Sequence, residues 1–348
     1  MPTNFPELLF SAWNARQTLL QHLHEGDTDC YRLFHGTVEG VPGMTIDRYG
    51  DALLVQTFHA SLPPSALLVL ESFYRQCEGM PAEVYYNDRS LPGSRYTNAL
   101  PAEMASTAKT ARIIHELGIK FTSRIRHRGQ DPLLFLDLRA CRRFMYSICQ
   151  NKTVLNLFAY TCGIGVGAAS RGAAFVTNVD FAQSSLDYGR QSAALNGLGD
   201  QQIEFIEDDF FAVTRQFAGL PVGGRMHPGE RKRGAGSVPA GVLKRAPRQF
   251  DIVFLDPPRW AKSKFGTVDL IRDYASVFKP ALLAVADGGQ LICTNNVASV
   301  DAAEWIDLLQ RSAKKAGRPV KAVDTMVPDA DFPSFDGSPP LKIAVLTL

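Results

Sequence analysis

The segment Phe254-Leu255-Asp256-Pro257-Pro258-Arg259-Trp260 sets one carboxylate at the end of an apolar run and follows it with two prolines. Proline fixes φ, lacks an N–H and pushes the residue before it out of the helical region. The turn therefore offers carbonyl acceptors without amide donors, and Asp256 adds a carboxylate to the same wall. Such a wall can hold the amino edge of a base, and Trp260 offers that base a stacking face. Asp256, Pro257 and Pro258 are the candidate catalytic residues. Two further acidic positions close apolar runs. Asp180 ends Ala174 to Val179, where a carboxylate can accept from both hydroxyls of an adenosine ribose. Glu207, Asp208 and Asp209 end Ile203 to Ile206, where an acid can accept from an adenine amino group, or charge a helix N-terminus. A glycine turn, Gly163, Gly165 and Ala168, follows an earlier apolar run, Thr153 to Phe158, and lets a ligand approach the backbone. The turn and Asp180 suit a nicotinamide cofactor as well as S-adenosylmethionine, but a hydride-transfer enzyme has no evident use for the Asp-Pro-Pro wall.

These positions require a particular scaffold. From Asn151 onward, Thr153–Phe158, Ala174–Asp180, Ile203–Asp208, Asp251–Asp256, Gly289–Thr294, Val320–Met326 and Leu341–Leu348 are short apolar runs, most followed by helix-length segments. Nearly continuous apolar strands belong to parallel sheets covered on both faces. The expected fold class is α/β, a Rossmann-like seven-stranded sheet preceded by a small α+β domain. The division is placed at 1–128 and 129–348. In the first part, Leu8–His24 reads as a helix with Arg16, Gln17, His22 and Glu25 on its polar face. The stretch from Tyr31 to Phe58 reads as two strands joined at Arg48-Tyr49-Gly50-Asp51, followed by a helix over Ser65–Cys77 and a strand over Glu83–Asn87.

Net charge is only +2 in 348 residues, so a nucleic-acid partner must be argued from local clusters. One cluster is Arg124, Arg126, His127, Arg128, Arg139, Arg142 and Arg143, which suits phosphate contacts or a structural ion-pair network. A second is the Gly- and Pro-rich stretch 219–248, with Arg225, Arg231, Lys232, Arg233, Lys244, Arg245 and Arg248 against Glu230 alone, read as a surface loop. The six cysteines form no CxxC pair, and neither a signal peptide nor a membrane span is evident. The expectation is a cytoplasmic protein with reduced thiols, no metal and no membrane contact.

Taken in order, several segments resemble the bacterial class I methyltransferases that modify large-subunit ribosomal RNA, the 23S group methylating cytosine C5 or guanine N7. Val154-Leu-Asn-Leu-Phe-Ala-Tyr-Thr-Cys-Gly-Ile-Gly-Val166 looks like their cofactor loop, and Phe254 to Lys264 like their active-site segment. Phe135-Leu-Asp-Leu-Arg139 is similar to a segment that helps close the cofactor pocket, and Asp29 to Gln56 resembles their small domain. The resemblance implies S-adenosylmethionine as cofactor, held by Arg139, Asn156, Phe158, Tyr160, Thr161, Gly163, Asp180, Asp209 and Asp256, and RNA, ribosomal in kind, as partner. Three departures stand out. Cys162 replaces a glycine, and Phe332 replaces a histidine. Thr294 stands where the cytosine-methylating members begin a cysteine motif, and Cys293-Thr294-Asn295-Asn296 looks instead like the guanine-methylating branch. Carbon 5 of cytosine needs a thiolate to activate it, whereas a ring nitrogen can attack directly. Cys293 should face away from Thr294 on the strand, so nitrogen methylation is expected, with Asn295 as a further catalytic candidate. A methyltransferase acting on a protein or small molecule, a nicotinamide-dependent oxidoreductase and a non-catalytic RNA-binding protein remain as alternatives.

Overall fold

The computed structural model describes residues 1–94, 102–126, 132–220, 245–263, 266–269, 271 and 273–348. The chain forms two compact units. The first is Met1–Arg143 with Ala194–Asn196 and Pro328–Pro339; the second is Phe144–Ala193, Gly197–Val327 and Pro340–Leu348. The division falls after Arg143 and not at 128, and a late segment of the chain returns to the first unit.

In the first unit, α1 (Phe5–Glu25) buries Phe5, Leu9, Ala12, Arg16, Leu20 and Leu23, a spacing of three and four that places them on one face. Arg16, read from sequence as part of the polar face, lies on this buried face. It donates to the Ala12 and Arg32 carbonyls and pairs with Glu39 at 2.6 Å. The stretch read as two strands holds three: β1 (Cys30–His35), β2 (Met44–Tyr49) and β3 (Ala52–Thr57). The Gly50-Asp51 turn joins β2 to β3, and Gly50 takes φ +62°, which suits a residue without Cβ. Helix α2 (Pro64–Gln76) carries the chain to β4 (Glu83–Asp88), parallel to β3. Phe5, Leu9, Leu33, Phe34, Leu70 and Tyr74 fill the core between helices and sheet. Beyond it come α3 (Ala102–Thr107) and a hairpin that the sequence reading missed, β5 (Arg112–Glu116) and β6 (Ile119–Ser123).

Helix α4 (Arg139–Ile148) leads into the second unit. Its strands are β7 (Thr153–Leu157), β8 (Phe175–Asp180), β9 (Ile203–Glu207), β10 (Phe250–Leu255), β13 (Val285–Asn295), β14 (Ala322–Met326) and β15 (Lys342–Thr347). They lie in the order β14-β15-β13-β10-β7-β8-β9, the expected seven-stranded sheet. Only β15 runs antiparallel to its neighbours. Helices α5 (Gly163–Ser170), α6 (Gln183–Leu195), α7 (Phe210–Phe217), α8 (Tyr274–Leu283) and α9 (Ala302–Lys315) connect them, and β11 (Trp260–Ser263) and β12 (Gly266–Asp269) form a separate hairpin. Leu155, Val253, Leu255, Phe278, Leu291 and Leu346 belong to a core packed between sheet and helices. The strand order reverses between β7 and β10, so the carboxyl ends of these two strands flank the crevice where open α/β sheets bind ligands.

Candidate active site

Everything proposed from sequence for the cofactor, apart from Arg139, gathers at that carboxyl edge of the second unit. The loop after β7 is tightly bent. Phe158, Tyr160 and Cys162 take φ of +55°, +48° and +62°, left-handed values that cost a non-glycine residue about 1 kcal/mol or more each. Main-chain bonds hold the bend: Ala159 N donates to Val179 O at 3.0 Å and Cys162 N to Ala159 O at 2.7 Å. Tyr160 N donates to Asp180 Oδ2 and Ala182 N to Asp180 Oδ1, both at 2.8 Å. Asp180 is 8% exposed. Burial raises its pKa, an effect opposed by the N–H groups of Ala182, Tyr160 and Phe181.

Close packing beneath the loop explains its glycines. A Cβ on Gly165 would stand 2.0 Å from Asn178 Oδ1, which accepts from the Asn156 amide at 2.9 Å. Asn156 is thereby a buried strut between β7 and β8. Cys162 is fully buried against α6, where a Cβ on Gly189 would meet its Sγ at 2.6 Å. The thiol thus occupies space left open by a glycine on the facing helix. Thr161 is buried, while Phe158 is half-buried and stacks on Phe210 with centroids 4.6 Å apart. Gly163 opens α5. Asp209 caps α7, its carboxylate accepting from Phe211 N and Ala212 N, and Asp208 pairs with Arg245 at 2.8 Å.

The segment Asp256 to Trp260 follows β10. Asp256 follows the strand half-buried, Pro257 is buried, and Pro258 and Trp260 are exposed. Arg259 lies over the Trp260 ring, 5.7 Å from its centroid. Parallel pairing sets Leu255 beside Cys293, which makes Asp256 and Thr294 neighbours across the strand ends. The Thr294 hydroxyl donates to Asp256 Oδ1, a contact that the sequence reading did not anticipate. Cys293 is fully buried and its thiol pKa is pushed well up by burial. Asn295 is also fully buried, because β13 continues through it. Its Oδ1 accepts from Val297 N at 3.0 Å, so it braces the backbone, and the exposed amide is that of Asn296.

Two expectations need correction. Arg139 lies in the first unit, fully buried, and its guanidinium donates to Asp331 at 3.0 and 3.1 Å, Asp329 at 3.3 Å and the Cys30 carbonyl at 3.1 Å. Burial works to lower its pKa, but Asp331 and Glu116 raise it above the ordinary value. Those bonds occupy the guanidinium in an internal network, where the resemblance implied a place in the cofactor pocket. The arginine cluster is likewise largely structural. Arg142 is buried against Glu116, Arg126 is buried, and Arg143 pairs with Asp329. His127, Arg128 and the basic residues from Arg225 to Lys244 lie outside the described residues, and Arg248 pairs with Glu204 at 3.2 Å. Among the described residues no helix is long and apolar enough to cross a membrane, and no group of three or more His, Cys, Asp or Glu could hold a metal ion.

Comparison with known proteins agrees with this scaffold. A ribosomal RNA large subunit methyltransferase I from Aeromonas salmonicida is 29% identical over 310 residues, covering 87% of this chain and 70% of that protein. Its namesake from Escherichia coli K12 is 28% identical over 314 residues, covering 88% and 70%. Among solved structures, a protein from Streptococcus mutans assigned as a SAM-dependent methyltransferase superposes with a TM-score of 0.75 at 22% identity, covering 99% of this chain and 81% of that one. A SAM-dependent methyltransferase from Agrobacterium tumefaciens gives 0.59 at 15% identity, covering 92% and 90%. The family profile for S-adenosylmethionine-dependent methyltransferases matches residues 31–221, more than half of the chain, and the protein belongs to that family.

Proposed function

We propose that the chain transfers a methyl group to a base nitrogen of large-subunit ribosomal RNA. The RNA part of this reading rests on the relatives, each described as a ribosomal RNA large subunit methyltransferase. The observation that carries the nitrogen assignment is the state of Cys293. A thiol that is fully buried with its pKa pushed well up does not supply the thiolate that attack on a cytosine ring needs. Thr294, not a cysteine, meets Asp256.

The site has features that fit S-adenosylmethionine. Asp180 is buried and, among the described residues, held by main-chain donors, which leaves a fixed acceptor at the end of β8 for a ribose diol. The bent loop from Phe158 to Gly163 would border the cofactor, with Thr161 and Tyr160 beside it and Asn156 holding the strands beneath. Asp209, by capping α7, would present its end of β9 to the adenine. The cofactor supplies a methyl group already activated by its sulfonium, so positioning supplies much of the rate. Asp256 and the carbonyls around Pro257 and Pro258 would orient the base, with Trp260 as its stacking face. The base has to leave its stack to reach such a wall.

Tritium from methyl-labelled cofactor should appear in in-vitro-transcribed large-subunit ribosomal RNA at one purine nitrogen, located by nuclease digestion and chromatography. RNA carrying 5-fluorocytosine should trap no protein. A covalent complex through Cys293 would overturn the nitrogen assignment, and label entering protein but not RNA would overturn the substrate class.

A further inference from the structure

We propose that Thr294 is a positioning residue for methyl transfer, its hydroxyl fixing the direction in which the Asp256 carboxylate faces the target base. The inference rests on the reading of Asp256 given above. Asp256 stands one residue beyond the last paired position of β10, and nothing in the ladder itself sets its side-chain torsions. The Thr294 hydroxyl supplies one such constraint by donating to Asp256 Oδ1. Thr294 is itself immobilised. It is fully buried inside β13, and its carbonyl accepts from the Tyr274 hydroxyl at 2.8 Å. Tyr274 is 1% exposed and meets Trp305 edge to face, with centroids 5.5 Å apart. A chain of contacts therefore runs from the α8–α9 packing through Tyr274 and Thr294 to the acid at the sheet edge.

The threonine matters for rate more than for folding. Asp256 is half-buried, and water can replace a lost hydroxyl at its carboxylate. Water cannot replace the direction. A carboxylate that orients a base must hold its oxygen within a few tenths of an ångström, and loosened positioning groups cost turnover at saturating substrate. A hydroxyl is also the right donor, since a thiol donates weakly.

The test is steady-state kinetics of the full chain with tritiated cofactor and in-vitro-transcribed large-subunit ribosomal RNA, beside calorimetric cofactor binding. Thr294→Val should lower kcat about tenfold or more while cofactor affinity stays within about twofold, and Thr294→Ser should restore most of the rate. Thr294→Cys retains the side-chain size with a weaker donor, guards against misfolding of the valine variant, and should also be slow. Asp256→Asn, measured in parallel, separates the two readings. Wild-type turnover in Asp256→Asn would remove Asp256 from the site and this proposal with it. An inactive Asp256→Asn beside a Thr294→Val or Thr294→Cys protein of wild-type kcat would overturn the proposal and leave the site reading standing.

Discussion

Arg139 in the first unit and Asp180 in the second are both buried, at 0% and 8% exposure, and their surroundings differ in kind. Arg139 is enclosed by opposite charge, with Asp331, Asp329 and Glu116 around it and Arg142 sharing Glu116. Asp180 meets no cation among the described residues and is held by main-chain N–H groups. A buried ion closed by its counter-charges is committed to architecture. A buried carboxylate satisfied only by backbone donors keeps capacity to accept from something else, since it offers about four lone-pair sites. The difference separates structural charge from binding charge where exposure alone does not.

Arg139→Met is the harshest test of the first half of that contrast. It would leave Asp331 buried without its guanidinium partner and remove one of the two arginines at Glu116, and should destabilise the protein by about 3–5 kcal/mol, read from urea unfolding. A variant of unchanged stability that binds S-adenosylmethionine poorly would instead return Arg139 to the cofactor pocket.

Asp180→Ala addresses the other half. Cofactor binding should weaken by about 2–3 kcal/mol, roughly 30- to 150-fold by calorimetry, as for hydrogen bonds to a charged group. Unfolding should change far less than for Arg139→Met, because removing a carboxylate that burial already disfavours relieves a cost. Unaltered affinity in the folded variant would break the contrast.

The smallest effect sharpens the picture of the first unit as a charged interior. His35 contacts Arg32 at 3.0 Å and packs edge to face on Phe332. Burial, followed by Arg32 and Arg16, lowers its pKa from 6.5 to about 4. The unfolded chain takes up the proton first, so the stability associated with neutral His35 is complete above pH 6.5 and is lost as pH falls toward 4. His35 is partly exposed, and solvent screening limits the loss to about 1–2 kcal/mol. In His35→Gln, urea midpoints measured between those pH values should fall less steeply than in the wild type; parallel curves would remove His35 as the source.

What was legible in the sequence follows the same division. The parallel sheet could be read because buried strands are continuous apolar runs, and strand ends locate Asp180 and Asp256 without knowledge of side-chain contacts. The arginine cluster could not be read correctly, because Arg139 and Arg142 find their acids far away, at Asp331 and Glu116. The unit boundary was missed for the same reason, since the return of 328–339 leaves no local mark. Asn295 was read as following the strand, with its amide on the base or the backbone around it, because the apolar run ends at Thr294. The ladder runs to Asn295, which turns that amide inward and leaves Asn296 exposed. The Asp209 cap is the helix-terminal reading that the sequence left open beside adenine binding. The Thr294–Asp256 contact depends on inter-strand register, which a single sequence does not specify.

The return of 328–339 also has a consequence in time. Asp331 lies 192 residues after Arg139, so a ribosome has released the arginine long before it has made the carboxylate that receives it. At synthesis rates of about 5–20 residues per second, that interval is roughly 10–40 s. During it the nascent first unit holds Arg139 without the partner at Asp331, and its sheet and α1–α2 core can close while its ionic centre cannot. The last part of the first unit to settle is thus supplied only after most of the second unit has been made.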